Sequence, residues 1–224
     1  MKYKCVIFDC DGTLLDTLGD IASAMNKALS FHGYPAVPLE KYRDMTGWGI
    51  YRLAELALPE EARTKDNISL LGASAERYMA VKPEDSLTKP YPGMKALLSK
   101  LSDLDFPHGK KFSLAVLSNK PDLALRQIIA GFFPEISFDA VYGMRPGFAA
   151  KPEPSMTWEL LNEINCLPHE TIFAGDSEID IETARNSGCY PLGVSWGFRS
   201  RAALQSAGAA RIIDRPEELL EMII

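Results

Sequence analysis

Two aspartates follow the first apolar segment of the chain, and their spacing suggests that they act together. Asp9 and Asp11 come directly after the apolar run Cys5–Phe8, and Gly12 follows them. A short apolar run that ends near glycine predicts a buried β-strand, in which residues two apart face the same side. Ligands of open α/β sheets bind at the carboxyl ends of the strands, so the pair predicts an active site. A solvated turn rich in Asp and Gly is the alternative for an isolated motif of this kind.

Three later segments add polar groups in similar positions. The apolar runs at 112–117 and 171–175 each predict another strand, and a lysine precedes a proline at position 151. The ends of parallel strands meet at one edge of a sheet, where these groups would come together. Their polar residues are Ser118, Asn119, Lys151, Asp176 and Asp180. Four motifs in this order favour a shared site over four separate turns.

These residue types suit the transfer of a phosphoryl group. A phosphate monoester is a dianion that repels an attacking carboxylate, and its uncatalysed hydrolysis is among the slowest reactions that enzymes accelerate. Cations must offset this repulsion, and hard oxygen ligands at this spacing suit Mg²⁺. We expect Asp9, Asp176 and a backbone carbonyl near Asp11 to hold Mg²⁺. Lys151 would add a second positive charge at the phosphoryl oxygens.

The two acids of the first motif need different roles. Asp9 would stay ionised and attack phosphorus, which forms an aspartyl-phosphate. Asp11 would protonate the leaving group and later accept a proton from water. Ser118 and Asn119 would donate hydrogen bonds to the phosphoryl oxygens. Asp180 would orient a metal-bound water or hold Lys151, and the alternative is a helix-start acid that complements the helix dipole.

The ordered motifs resemble those of the haloacid dehalogenase superfamily, and the likeness is greatest to its phosphoglycolate phosphatase-like branch. The segments that carry the resemblance are Phe8–Leu14, Ser118–Pro121, Gly175–Asp180 and Val194–Phe198. The resemblance implies the same catalytic roles for Asp9, Asp11 and Lys151, and phosphate binding by Thr13. In members of that superfamily the corresponding Lys–Pro bond is often cis, so the resemblance implies a cis bond between Lys151 and Pro152.

The coarse pattern predicts an α/β fold with a Rossmann-like parallel sheet and an inserted helical domain. Helical periodicity covers 16–32, 39–58 and 60–81, whereas strands and helices alternate after 89. Residues 1–16 and 89–224 would therefore form the catalytic core, and 17–88 a small cap domain. Thr46 and Gly47 resemble the substrate-facing loop of such caps, with an ordinary helix break as the alternative. Arg145 would either contact phosphate or face water.

The predicted function is Mg²⁺-dependent hydrolysis of small phosphate monoesters, with 2-phosphoglycolate as the best single substrate. A sugar phosphomutase of the β-phosphoglucomutase kind and a pyrophosphatase of the same superfamily remain alternatives. A non-enzymatic binding module is disfavoured, because none of the expected catalytic residues is missing. The predicted partner is a small phosphorylated metabolite, and the protein would be a monomer or a homodimer.

Composition is consistent with this prediction. The 224 residues carry a formal charge of −6, and the pI is about 5.2, which argues against nucleic acid or an anionic membrane as a partner. Lys2 and Lys4 lead directly into a core strand rather than a signal peptide, and four cysteines without CxxC spacing suggest reduced thiols. We therefore expect a cytoplasmic protein.

Overall fold

The chain divides into two compact units in the computed structural model, which describes residues 2–80, 86–105 and 111–224. Unit 1 comprises Met1–Leu15 and Pro90–Ile224, and unit 2 comprises Asp16–Lys89. Unit 2 and the predicted insertion at 17–88 differ by one residue at each end. The last residue of the predicted helix at 60–81 lies outside the described residues.

A parallel sheet forms the centre of unit 1. Within the described residues it has six strands in the order β5-β4-β1-β6-β7-β8, and each neighbouring pair is parallel. The strands of the chain are β1 (Cys5–Phe8), β2 (Leu15–Asp16), β3 (Lys89–Pro90), β4 (Ser113–Pro121), β5 (Ala140–Met144), β6 (Thr171–Gly175), β7 (Tyr190–Val194) and β8 (Arg211–Ile213). Strands β2 and β3 pair separately, at the two points where the chain passes between the units.

Helices cover both faces of the sheet, and further helices build unit 2. The helices of unit 2 are α1 (Leu18–Phe31), α2 (Leu39–Met45), α3 (Ile50–Ala57) and α4 (Lys65–Ala80). Those of unit 1 are α5 (Met94–Ser102), α6 (Asp122–Phe132), α7 (Ser155–Glu163), α8 (Glu178–Ser187), α9 (Arg201–Ala207) and α10 (Glu217–Ile223). The alternation of strands and helices confirms the predicted α/β, Rossmann-like class.

The apolar composition of β1 follows from burial on both of its faces. Val6 and Phe8 belong to one hydrophobic cluster, whereas Cys5 and Ile7 belong to another. Successive side chains of a strand point to opposite faces, so a central parallel strand needs apolar residues throughout. Asp9 is therefore the first position at which this strand can present a polar group.

The end of β4 differs from the sequence prediction. The predicted strand stops at Leu117, but β4 continues through Ser118 to Pro121, and α6 begins at Asp122. Pro121 therefore lies at the N-cap of α6. A proline has no N–H to lose at the end of a strand, which lets the strand run into the helix directly.

One carboxylate ties the beginning of unit 2 to its end. Asp20, in the first turn of α1, accepts hydrogen bonds from the Ser86 hydroxyl at 2.5 Å and from the Leu87 amide at 3.0 Å. It also accepts from the amide and the hydroxyl of Thr88, at 3.2 and 2.5 Å. Although burial opposes it, these donors lower the pKa of Asp20. The segment that leads into β3 is thus held against the start of α1.

Candidate active site

The ends of three adjacent strands bring the predicted acids together. Asp9 follows β1, and its amide donates to the Ala174 carbonyl of β6 at 2.9 Å. Asp176 follows β6 directly, and Ser118 lies near the end of β4 on the other side of β1. All three side chains are buried. The parallel topology therefore places them along one edge of the sheet, as the spacing predicted.

Lys151 reaches this edge from the loop before α7. Its ammonium lies 2.8 Å from an oxygen of Asp9 and 2.6 Å from an oxygen of Asp180, and it donates to the Leu117 carbonyl at 3.2 Å. Only 3% of the residue is exposed, so the charge is satisfied by these oxygens and not by bulk water. Burial alone would lower the pKa of Lys151, but the carboxylates of Asp180 and Asp9 hold it above its ordinary value.

The backbone of Lys151 is held by Asn119. The Lys151 amide donates to Asn119 Oδ1 at 2.8 Å, and Asn119 Nδ2 donates to the Lys151 carbonyl at 3.2 Å. The bond between Lys151 and Pro152 is cis. Sequence reasoning assigned Asn119 only to phosphate binding and missed this pairing, because it joins residues that are 32 positions apart.

Asp180 combines two of the roles considered for it. It forms a capping box with Ser177 at the start of α8, in which the Ser177 side chain accepts from the Asp180 amide and the Ser177 amide donates back to the Asp180 carboxylate. Its other oxygen contacts Lys151. The capping box fixes the Asp180 carboxylate, and this carboxylate in turn fixes the Lys151 ammonium.

Three buried acids lie together at this site, and two of them contact the ammonium of Lys151. Asp9, Asp176 and Asp180 each offer a carboxylate oxygen, and these oxygens lie within 4.8 Å of one another. Burial raises the pKa of Asp9 from its ordinary 3.8 to about 7, against the opposing charge of Lys151. Burial also raises the pKa of Asp176 well above its ordinary value, and the charges of Asp180 and Asp9 add to this effect. The charges of Lys151 and Arg199 therefore offset only part of the cost of burying these acids.

The donor set fits a hard divalent cation such as Mg²⁺. Such ions take carboxylate oxygens as ligands, and they would supply the charge that the three acids lack. Asp9 and Asp176 directly follow the adjacent strands β1 and β6, whereas Asp180 lies on α8 and contacts Lys151 and Ser177, so we expect Asp9 and Asp176 to be the binding carboxylates. The Asp11 carboxylate is not part of this group, and the predicted contact through a backbone carbonyl near Asp11 stays a prediction.

Asp11 pairs instead with Lys120, a contact that the sequence analysis missed. Lys120 Nζ lies 3.0 and 3.1 Å from the two oxygens of Asp11. Their side chains are 9% and 17% exposed. Burial would lower the pKa of Lys120, but the Asp11 carboxylate raises it above its ordinary value. The cation in the 118–121 motif was visible in the sequence, but its partner, 109 positions away, was not.

Close backbone packing surrounds Asp176. A Cβ added to Gly12 would lie 2.3 Å from Asp176 Oδ2, and one added to Gly197 would lie 2.2 Å from Asp176 Cβ. Gly12 has a φ of 89°, which favours glycine in addition. Only glycine fits at either position while Asp176 stays in place. The loops at 9–14 and 195–199 therefore enclose this carboxylate.

Thr13 and Ser118, two predicted phosphate-binding residues, are buried beside the acids. The Thr13 hydroxyl donates to Asp176 Oδ1 at 3.3 Å, and the Ser118 hydroxyl accepts from the Lys120 amide at 3.3 Å. Their roles toward a phosphate stay predictions.

The predicted cap residues belong to unit 2. Thr46 is buried, and its hydroxyl donates to the Arg43 carbonyl at 3.3 Å. Gly47 and Gly49 have φ angles of 102° and 88°, which accounts for the helix break between α2 and α3. Their predicted role toward substrate is a proposal taken up below.

Arg145 in unit 1 neither extends freely into water nor lies among the acids of the site. It stacks over the Tyr142 ring at 3.8 Å and donates to Glu159 at 3.0 Å. These contacts hold the guanidinium against β5 and α7.

Comparison with known proteins defines the class of this chain. Residues 6–194 match the family model of haloacid dehalogenase-like hydrolases. The chain therefore belongs to the haloacid dehalogenase-like hydrolase family.

Curated relatives that match almost the whole chain are phosphatases of one kind. The phosphoglycolate phosphatase of Vibrio cholerae is 31% identical over 233 residues, which cover 100% of this chain and 98% of that protein. The Vibrio parahaemolyticus phosphoglycolate phosphatase is 30% identical over 98% of this chain and 96% of its own length. The prediction of a phosphoric monoester hydrolase of the phosphoglycolate phosphatase-like kind is thereby confirmed.

Solved structures agree with the fold. A Lactobacillus delbrueckii subsp. bulgaricus structure, described as a candidate phosphoglycolate phosphatase, matches with a TM-score of 0.87 and 33% identity, over 100% of this chain and 99% of that one. A haloacid dehalogenase-like family hydrolase from Streptococcus pneumoniae has a TM-score of 0.84 at 23% identity, over 100% and 99% of the two chains, and shows the fold alone. None of the helices in the part of the chain that the structure describes combines the length and apolar composition that a membrane crossing requires.

Proposed function

We propose that the protein is a Mg²⁺-dependent phosphatase that hydrolyses small phosphate monoesters through an aspartyl-phosphate. The observation that supports this most directly is the contact of Lys151 with Asp9, at 2.8 Å, inside a buried group of carboxylates. A buried nucleophile beside a fixed ammonium and an excess of acids suits a dianionic substrate that arrives with a cation.

The proposed reaction has two displacements. A carboxylate oxygen of Asp9 attacks phosphorus, and the bond from phosphorus to the ester oxygen breaks. Asp11 donates a proton to the leaving alkoxide and then takes one from the water that hydrolyses the aspartyl-phosphate. Water attack at phosphorus regenerates the Asp9 carboxylate and releases inorganic phosphate, so the two steps balance.

The remaining residues bind and orient the phosphoryl group. Lys151 offsets the charge of one of its oxygens, and its ammonium is prepositioned by Asp180 and by the Leu117 carbonyl. The hydroxyls of Thr13 and Ser118 and the side-chain amide of Asn119 are proposed donors to the other oxygens. Asp9 and Asp176 would hold Mg²⁺, which when bound neutralises charge on the phosphoryl oxygens and lowers the repulsion toward Asp9.

We propose 2-phosphoglycolate as the preferred substrate. The relatives named as phosphoglycolate phosphatases cover the whole chain at about 30% identity, which supports this choice but leaves related esters as competitors. The loop with Thr46 and Gly47 offers backbone amides next to glycines, a geometry that can approach a small carboxylate closely.

Because all four cysteines are free thiols, we also propose a cytoplasmic location.

Phosphate release from a panel of esters tests the reaction. The panel comprises 2-phosphoglycolate, hexose 1- and 6-phosphates and pyrophosphate, each assayed with Mg²⁺ and with EDTA. We expect the highest kcat/KM for 2-phosphoglycolate, with activity lost in EDTA and restored by Mg²⁺. Turnover that persists in EDTA would overturn the metal assignment. Conversion of a hexose 1-phosphate into the 6-phosphate without phosphate release would instead identify a mutase.

A substitution in the α2–α3 loop tests the substrate. Gly47→Ala strains the backbone of this loop, because Gly47 has a φ of 102°, and should raise the KM for 2-phosphoglycolate while leaving the KM for an aryl phosphate, which has no carboxylate, unchanged. Gly33→Ala, at a φ of 78° after α1 in the same unit, is the matched control. Equal effects of Gly47→Ala on both substrates would argue against recognition of the carboxylate by this loop.

A further inference from the structure

Both carboxylate oxygens of Asp176 are held by a closed chain of contacts that begins and ends in one loop. The Phe198 amide donates to Asp176 Oδ2 at 2.7 Å. The Thr13 hydroxyl donates to Asp176 Oδ1 at 3.3 Å, and the Thr13 carbonyl accepts from Trp196 Nε1 at 3.0 Å. Trp196 and Phe198 are two residues apart, so these hydrogen bonds and the backbone between the two residues form a ring around the Asp176 carboxylate.

The two loops, 9–14 and 195–199, pack so closely that no further atom fits between them. A Cβ added to Gly197 would lie 2.4 Å from the Gly12 carbonyl oxygen, and one added to Gly12 would overlap the Asp176 carboxylate. The backbone on either side of Thr13 is thus packed against the backbone between Trp196 and Phe198. A displacement of the Thr13 carbonyl would move the hydroxyl that contacts Asp176.

The Trp196 indole is the part of this hydrogen-bonded ring that reaches the protein surface. It packs partly against the main hydrophobic cluster, and it lines a surface cavity of about 350 Å³ together with Tyr91. The two ring centroids are 6.4 Å apart. The indole reaches Asp176 through Thr13, and a change in the indole N–H would therefore act on the acid indirectly.

We propose that Trp196 is a positioning residue for the divalent-cation site: its indole N–H fixes the Thr13 carbonyl, and through Thr13 it fixes Asp176 for cation binding. This inference rests on the proposed role of Asp176 in holding Mg²⁺. It assigns a function to a residue of the segment Val194–Phe198, which otherwise contributes only to the family resemblance of the sequence.

Mg²⁺ binding without substrate gives the test. The readout is the half-saturating Mg²⁺ concentration, obtained for wild type and variants by fitting the logarithmic rise of the unfolding temperature with Mg²⁺ concentration. Trp196→Phe removes the N–H, and replacement of Trp196 by the isosteric analogue 3-benzothienylalanine removes it while keeping the ring size. Either change should raise the half-saturating Mg²⁺ concentration roughly fivefold, the factor that corresponds to the loss of one neutral hydrogen bond.

A matched control exists in the same unit. Trp158 also donates its indole N–H to a backbone carbonyl, that of Ser187 at 3.2 Å, but it lies on α7 away from Asp176. Trp158→Phe should leave the half-saturating Mg²⁺ concentration unchanged. If Trp158→Phe raised it as much as Trp196→Phe, the effect would be one of general stability and the inference would be wrong.

A double-mutant cycle separates a path through Thr13 from a direct effect. Thr13→Val removes the hydroxyl that contacts Asp176, so adding Trp196→Phe to it should weaken Mg²⁺ binding no further. Additive effects, or a benzothienylalanine protein that binds Mg²⁺ like wild type, would overturn the inference. A wild type that binds Mg²⁺ but hydrolyses no phosphate ester would reject the proposed function alone, since the binding readout needs no turnover.

Discussion

The ammonium of Lys120 contacts both carboxylate oxygens of Asp11, at 3.0 and 3.1 Å, in a largely buried position. The pair lies next to the proposed nucleophile and involves the proposed proton donor. Lys120 therefore holds Asp11 when no substrate is present. Removing one member of such a pair leaves the other charge buried without compensation.

Replacing Lys120 by methionine should cost about 3 kcal/mol of unfolding free energy, since a broken buried pair is more costly than an absent one. The double variant Lys120→Met/Asp11→Asn should recover most of this loss. Urea unfolding of the single and double variants checks the prediction. Arg126→Met is the control, because Arg126 pairs with Asp122 on an exposed helix surface, where a pair contributes about 0.5 kcal/mol. Equal losses for the two single variants would contradict the buried pairing.

Asp9→Asn should reduce turnover at least about 10⁴-fold, as loss of a nucleophile does in other enzymes, while the protein stays folded. Asp103→Asn, at an exposed acid after α5, should leave the rate unchanged. Acid-quenched wild-type enzyme mixed with substrate should carry one phosphoryl group on the peptide that contains Asp9. A phosphoryl group on any other peptide would exclude Asp9 as the nucleophile.

Stability without metal should fall as pH rises from about 4 to about 7. The pKa of Asp9 is raised from 3.8 to about 7 in the folded protein. Between these values the folded state binds more protons than the unfolded state, so the stabilisation is fully present at low pH and is lost toward neutrality. Urea unfolding in EDTA across this window measures the slope. Asp9→Asn should flatten it, and an unchanged slope in that variant would assign the titration to another group.

Gly197→Ala should abolish Mg²⁺-dependent stabilisation. Its Cβ would lie 2.2 Å from Asp176 Cβ and 2.4 Å from the Gly12 carbonyl, so the acid or the loop must move. Gly147→Ala is the control, because Gly147 has a φ of 92°, which an alanine also adopts only with strain, but a Cβ at this position meets nothing within 4 Å. Unfolding temperatures with and without Mg²⁺ compare the two. Full Mg²⁺ stabilisation in Gly197→Ala would refute the packing argument.

Cys166 should be the first thiol to react with iodoacetamide. Hydrogen bonding from Cys5, against the effect of burial, lowers the pKa of Cys166 to about 7, whereas burial raises that of Cys189 to about 11. The fraction of the reactive thiolate, and hence the rate of Cys166 alkylation, should increase through about pH 7. Peptide mass spectrometry after brief labelling identifies the site. Prior modification of Cys189 would contradict this order.

The elements and the approximate site could be predicted because they depend on local signals. Apolar runs that end in acids mark the ends of β1 and β6, and parallel topology brings those ends to one edge. Asp9 and Asp176 follow from this rule without knowledge of any contact. The helices of unit 2 likewise follow from helical periodicity and from the glycine break at Gly47.

Pairings between distant side chains could not be predicted in the same way. The contacts of Asp11 with Lys120, of Asn119 with the Lys151 backbone and of Trp196 with Thr13 depend on rotamers and loop paths that no spacing encodes. The composition of 118–121 showed a cation near the site, but not whether it faced substrate or a neighbouring acid. Strand alternation assigns a face, whereas a hydrogen-bond partner is settled only by packing.

Both ends of unit 2 pass through the paired strands β2 and β3, and Asp20 fastens the returning segment to the start of α1. Paired strands lie about 4.8 Å apart, so the insertion begins and ends at nearly the same point. An exchange of the whole segment for another helical insert would leave the register of the main sheet, and with it the spacing of Asp9 and Asp176, untouched. Under the proposed function, replacement of unit 2 would change substrate preference while the residues proposed for the chemistry stay in unit 1.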